Sequence, residues 1–143
     1  GLRLGPIVFI TSAGGALGQV LKVSGAGDSL AQMVLNTGLP FILIPFVISG
    51  LLKVVQGSGT VAVTTAATLC APIAASLGLD PILIFLASGA GARLCCHVND
   101  SYFWVYTNCM GYDMKTGLKT LSISNVVMSL GGLAATFICS LWL

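Results

Sequence analysis

The thirty residues from Pro81 to Met110 read as one apolar stretch with a polar centre. As a single helix they would be ~45 Å long at a rise of 1.5 Å per residue. The hydrocarbon core of a bilayer is only about 30 Å thick. The middle of the stretch carries Ser88-Gly89-Ala90-Gly91-Ala92-Arg93 and then His97-Val98-Asn99-Asp100. Strongly polar side chains at membrane depth are costly, and they face a partner, a cavity or a substrate. A helix broken inside the bilayer explains both the excess length and the polar run. Such a break is tolerated only where protein or a wet cavity satisfies the freed backbone.

Composition supports lipid as the solvent. Charged residues make up 7% of the chain, Glu is absent, and 56% of residues are apolar. Soluble domains are about 25% charged, so this chain has too little charge to solvate its outside. The net charge is +2 and the six basic residues are scattered. No basic face interleaved with aromatics exists, which argues against nucleic acid as a partner. Cys70, Cys95, Cys96, Cys109 and Cys139 all lie in or beside apolar stretches. They read as small core residues. Cys95-Cys96-His97 are adjacent and do not converge on one tetrahedral ion, so no metal and no other cofactor is expected. The chain starts at Gly1 directly with membrane-like sequence, and it reads as the C-terminal part of a larger protein.

Five segments follow from the pattern. Residues 1–38 hold a helix over Pro6–Val23 and a short helix over Ser29–Leu35. Residues 39–78 form a helical hairpin: Leu39–Gln56, the turn Gly57-Ser58-Gly59-Thr60, then Val61–Leu77 with Pro72 as a candidate kink. Residues 79–117 contain the broken helix, whose second half carries Tyr102, Phe103, Trp104 and Tyr106, residues at home near an interface. Residues 118–143 form the last transmembrane helix. Lys115 and Lys119 mark the loop before it as cytoplasmic, which puts the C-terminus outside. The pattern leaves open whether Gly57–Thr60 lies mid-membrane or at the cytoplasmic face.

Two constellations carry chemistry. Gly57-Ser58-Gly59-Thr60, with Thr64 and Thr65 one turn on, brings free helix-start amides and hydroxyls together. Such amides hold an anion without a formal cation. The same residues also suit a tight turn or close helix approach. His97, Asn99 and Asp100 place an imidazole, an amide and a carboxylate within four residues. Asp100 can carry a proton and can equally cap a helix starting at Ser101; the His97 imidazole is a second candidate proton carrier, since an unperturbed imidazole titrates near neutrality. A rival reading pairs Asp28, in Gly25-Ala26-Gly27-Asp28, with Asp113, in Tyr112-Asp113, as an intramembrane aspartyl-type protease. The order is the reverse of that family's, and turn-forming Gly and Asp explain both matches.

Three stretches resemble the gluconate permease (GntP) family of bacterial inner-membrane transporters. They are Ile10-Thr11-Ser12-Ala13-Gly14-Gly15-Ala16 with Gln19-Val20-Leu21; Gly57-Ser58-Gly59-Thr60-Val61-Ala62 with Thr64-Thr65-Ala66-Ala67; and Ala87-Ser88-Gly89-Ala90-Gly91 leading to His97-Val98-Asn99-Asp100, with Phe103-Trp104 after it. The resemblance covers nearly the whole chain. It implies an all-α membrane protein, one repeat of an inverted-repeat ion-transporter fold, with a hairpin and a broken helix meeting at a midplane site. It implies proton symport of gluconate or a related small hydroxy acid, and no enzyme activity. Sodium coupling and D-serine transport are the alternatives within the same class. On this resemblance Lys53, Gly57, Ser58, Gly59, Thr60 and Thr64 hold the substrate carboxylate. Asn99, Gly89 and Gly91 bind its hydroxyls, with Ser12, Gly14, Gly15 and Gln19 as further candidates. Asp100, or else His97, takes the coupled proton. The full-length protein is expected to be a homo-oligomer. Arg93 and the paired Cys95-Cys96 depart from the family pattern and receive no role from it.

Overall fold

The computed structural model describes Ser12, residues 23–25, Asn36, and residues 38–77 and 80–142. The expected helix over Pro6–Val23, the helix over Ser29–Leu35, and Gly14, Gly15, Gln19 and Asp28 lie outside the described residues, apart from Ser12 and Val23. Among the described residues the fold is all-α, with helices α1 (Leu43–Gln56), α2 (Gly59–Leu77), α3 (Pro81–Gly91), α4 (Ser101–Met110) and α5 (Met114–Cys139).

Each boundary has a local cause. α1 ends at Gly57, which adopts a left-handed φ of 76° and donates its N–H to Lys53 O. Glycine reaches that region without a Cβ penalty. α2 starts two residues earlier than expected because Ser58 Oγ accepts from Val61 N at 3.4 Å, the N-cap geometry. It runs through Pro72 to Leu77 without ending. α3 begins at Pro81 behind Asp80, whose side chain accepts from Ile82 N. α4 begins behind Asp100, which accepts from Tyr102 N. α5 starts at Met114 and not at 118. Asp113 caps it by accepting from Thr116 N, so Lys115 and Lys119 belong to its first turns and not to a loop. That hydrogen bond from Thr116 holds the exposed Asp113 carboxyl below the usual carboxylate range. Asp113 is thereby an exposed helix cap, which leaves half of the protease dyad without a buried site.

The Pro81–Met110 stretch is broken, as its length requires: α3 stops at Gly91 and α4 begins at Ser101. The intervening backbone is braced by its neighbours. Ser129 Oγ donates to Ala90 O at 2.8 Å, and Ser122 Oγ to Cys96 O at 3.1 Å. Trp104 Nε1 donates to Val98 O at 2.6 Å, and Asn99 Nδ2 to Val54 O at 2.7 Å. Turn bonds Leu94 N to Gly91 O and Asp100 N to His97 O, each 2.9 Å, account for two more carbonyls. Irregular backbone at membrane depth needs this kind of satisfaction. Ser129→Ala should lower the stability of the intact protein by about 1 kcal/mol. Ser124→Ala should be nearly neutral, because Ser124 is exposed and bonds only its own helix at Leu121 O. Thermal unfolding in detergent compares the two; equal effects would mean that the α5 serine does not brace the break.

α1, α2 and α3 pack on one another, and α5 packs on α3 and α4. Small residues set the distances. A Cβ at Gly91 would lie 2.1 Å from Phe46 O, and one at Gly117 2.2 Å from Thr107 Cγ2. With 26 residues, α5 would be ~39 Å long, enough to span a bilayer. Its buried positions include Asn125, Ser129 and Thr136, while Ile123, Val127, Met128, Leu130 and Ile138 are exposed. A polar inner face and an apolar outer face suit a helix whose surroundings are hydrocarbon. α1 and α3, with 14 and 11 residues, are each too short to span alone.

Candidate functional site

The hairpin turn between α1 and α2 touches the break between α3 and α4. A Cβ on Gly57 would sit 2.2 Å from Asn99 O, so the two irregular segments meet backbone to backbone. Lys53, in the last turn of α1, and Asp100, at the start of α4, form a buried ion pair across this junction. Lys53 is 7% exposed and Asp100 5%, so neither charge is left to bulk water. Lys53 Nζ also donates to Gly57 O at 2.8 Å. The Cys96 thiol donates to Asp100 Oδ2 at 3.0 Å, and Tyr102 N donates to Asp100 Oδ1 at 2.9 Å. A buried pair needs such extra bonds, because desolvation of two charges otherwise exceeds their attraction.

The pair opens onto a cavity of about 710 Å³. Ser58, Gly59, Thr60 and Thr64 of the α2 start line one side, and Gly89, Ala92 and Arg93 of the α3 end line another. Phe85, Cys96, Ser101, Tyr102 and, from α5, Asn125 contribute the rest, together with Val63. The amides of Gly59 and Thr60 stand in the first turn of α2, where no earlier helical carbonyl can accept them. The wall therefore combines helix-start donors, hydroxyls, a buried cation and a carboxylate, a set fitted to a hydroxylated anion.

The sequence-based candidates divide on this geometry. Lys53, Ser58, Gly59, Thr60, Thr64, Gly89 and Asp100 share the cavity. Gly57 forms the turn beneath it, and Gly91 packs against the Phe46 backbone. Asn99 stands outside the lining: its Nδ2 is engaged by Val54 O, and its Oδ1 has no partner. His97 is half-buried, also outside the lining, and offers its backbone O to Asp100 N. Ser12 is helical and exposed.

Residues 3–142 match the family described as GntP family permease. The chain belongs to the GntP permease family. Its relatives include an uncharacterized permease of Haemophilus influenzae, 41% identical over 133 residues, 91% of this chain and 27% of that protein. A gluconate permease of Bacillus licheniformis is 33% identical over 140 residues, 98% of this chain and 31% of that protein. The Gnt-II system L-idonate transporter of Escherichia coli is 36% identical over 127 residues, 89% of this chain and 29% of that protein. The chain spans about three tenths of the length of the curated relatives it matches. No solved structure matches it. As a member of this family it is a membrane protein, and its relatives are named permeases and transporters.

Cavity-lining residues to which the sequence assigned no part in the site include Phe85, Arg93, Cys96, Ser101, Tyr102 and Asn125, besides Val63 and Ala92. Asn125 carried one legible signal, an amide in an apolar stretch that holds no charge after Lys119. Cys96 carried none, since a thiol in an apolar run reads as packing.

Proposed function

We propose that the protein is the C-terminal repeat of a permease that carries gluconate or a related small hydroxy acid with a proton across the bacterial inner membrane, its C-terminus outside. The observation that supports this most directly is the buried Lys53–Asp100 pair on the wall of a polar cavity. In this reading the Gly57–Thr60 turn and the 92–100 break meet mid-membrane and form the site. A pair of this kind couples two ligands through one cation. With Asp100 ionised, Lys53 is neutralised and the empty site carries no net charge from the pair. A proton on Asp100 removes that partner, and the Lys53 ammonium turns to the substrate carboxylate. The Gly59 and Thr60 amides and the Ser58 hydroxyl complete the anion's hydrogen bonds. Substrate docking at Lys53 without a proton would set two carboxylates against that one buried ammonium, which is disfavoured. That penalty ties accumulation of the acid to the proton gradient. Asn99 and the Trp104–Val98 contact hold the break in shape, while Ser101 and Asn125 face the substrate hydroxyls.

Uptake of labelled gluconate into proteoliposomes of the intact permease tests the coupling. An inward proton gradient should drive accumulation in wild type with no sodium present. Asp100→Asn should abolish accumulation, because the pair can no longer exchange a proton. Gradient-driven accumulation by Asp100→Asn, or a strict need for sodium, would refute the proposal.

A further inference from the structure

Arg93 stands in the turn that follows α3, exposed, on the wall of the same cavity as Lys53. It forms no ion pair among the described residues, and Asp100 is the only carboxylate lining the cavity among them. The charge of the described wall therefore depends on the state of Asp100. With Asp100 ionised it is +1, from Arg93 alone. With Asp100 protonated it is +2, from Lys53 and Arg93 together. Besides the two cations the lining offers hydroxyls and an amide: Ser58, Thr60, Thr64, Ser101 and Asn125. A monocarboxylate would answer one of these cations and leave the other to water. A dianion would answer both. Arginine is also the side chain best shaped for a carboxylate, because its guanidinium fork donates two parallel hydrogen bonds. The cavity volume of about 710 Å³ falls well inside the range of small-molecule sites.

We infer that the preferred cargo is a hydroxylated dicarboxylate, with one carboxylate at Lys53 and the α2 start and the second at Arg93. This rests on the proton-coupled permease reading above and goes beyond it in substrate class. Lys53 is the cation that switches with the proton. Arg93 is the cation that stays and sets the charge of the substrate.

The test is competition on the intact permease in proteoliposomes, reading inhibition constants against labelled gluconate uptake. Gluconate and glucarate are the probes, since they share a six-carbon polyhydroxy chain and differ at the second terminal carboxylate. Glucarate should bind about tenfold more tightly than gluconate, the scale of one added charge-assisted hydrogen-bonded contact. Arg93→Gln should bring the ratio of the two constants to about one, and Arg93→Lys should restore part of the preference. Equal constants in wild type would overturn the assignment, as would a preference that survives Arg93→Gln. A fall in affinity of the same factor for both acids, removed by added salt, would also overturn it, since that is the behaviour of a steering charge at the mouth. Absence of gluconate uptake at every pH would sink the permease reading itself, whereas uptake without discrimination sinks only the role of Arg93.

Discussion

Lys53→Met should destabilise the intact permease by roughly 3–5 kcal/mol, the cost of leaving a buried charge without its partner. Asp100 would then keep the Cys96 thiol and the Tyr102 amide but lose its cation, and Gly57 O would lose a donor. Methionine keeps the apolar stem length of lysine, so packing along α1 is largely preserved and the loss is electrostatic. The decisive comparison is the double variant Lys53→Met/Asp100→Asn. Asparagine retains an oxygen that can cap α4 at Tyr102 N, and it carries no charge to strand. Stability should return most of the way in the double variant, while proton-driven accumulation stays absent. Thermal unfolding of the two variants beside wild type, with uptake measured on the same preparations, separates the structural role from the transport role. A single variant as stable as wild type would show that the pair is not buried. A double variant in which a proton gradient still drives substrate accumulation would show that the pair does not couple.

Glycine substitutions should produce an effect of similar size with no charge involved. In Gly57→Ala two penalties add. The left-handed φ of 76° costs a non-glycine residue roughly 1–2 kcal/mol. The new methyl would also meet Asn99 O at 2.2 Å, a backbone atom that cannot rotate away. Overpacking of this kind typically costs a further ~1–3 kcal/mol, so a total of about 3 kcal/mol is expected. Gly91→Ala isolates the second penalty, because its backbone is helical and its Cβ would meet Phe46 O at 2.1 Å. Gly89→Ala, two residues earlier on the same helix, has nothing within 4 Å of the new methyl. It should be neutral or should stabilise the helix by ~0.5–1 kcal/mol. An apparent Tm that falls for Gly57→Ala and Gly91→Ala but not for Gly89→Ala confirms the close approaches of α1 to α3 and of the turn to the break. Equal tolerance at all three sites would contradict those contacts.

Features written into short stretches of chain were legible in advance. The break between α3 and α4 follows from comparing the length of Pro81–Met110 with a bilayer, and from the glycines and polar residues at its centre. The cap at Asp100 follows from its place directly before an apolar-aromatic run. The GntP resemblance rested on three motifs, and the family match over residues 3–142 agrees with it. The start of α5 is not legible in the sequence, because Lys115 and Lys119 read as loop charges. The Asp113–Thr116 bond shows that they follow a helix cap.

By itself the sequence determined that the chain is helical, lives in lipid, breaks one helix within Pro81–Met110 and gathers polar groups there. Those properties depend on composition, length and neighbours within one or two turns. Only the tertiary structure decided that Lys53 and Asp100, 47 residues apart, cancel each other's charge. It also decided that Arg93, Cys96 and Asn125 join them on one cavity wall and that serines of α5 brace the break. Nothing periodic encodes such pairings. They arise because short helices packed through glycine contacts bring distant turns together, and because buried charges and freed carbonyls must then find partners wherever the packing has put them.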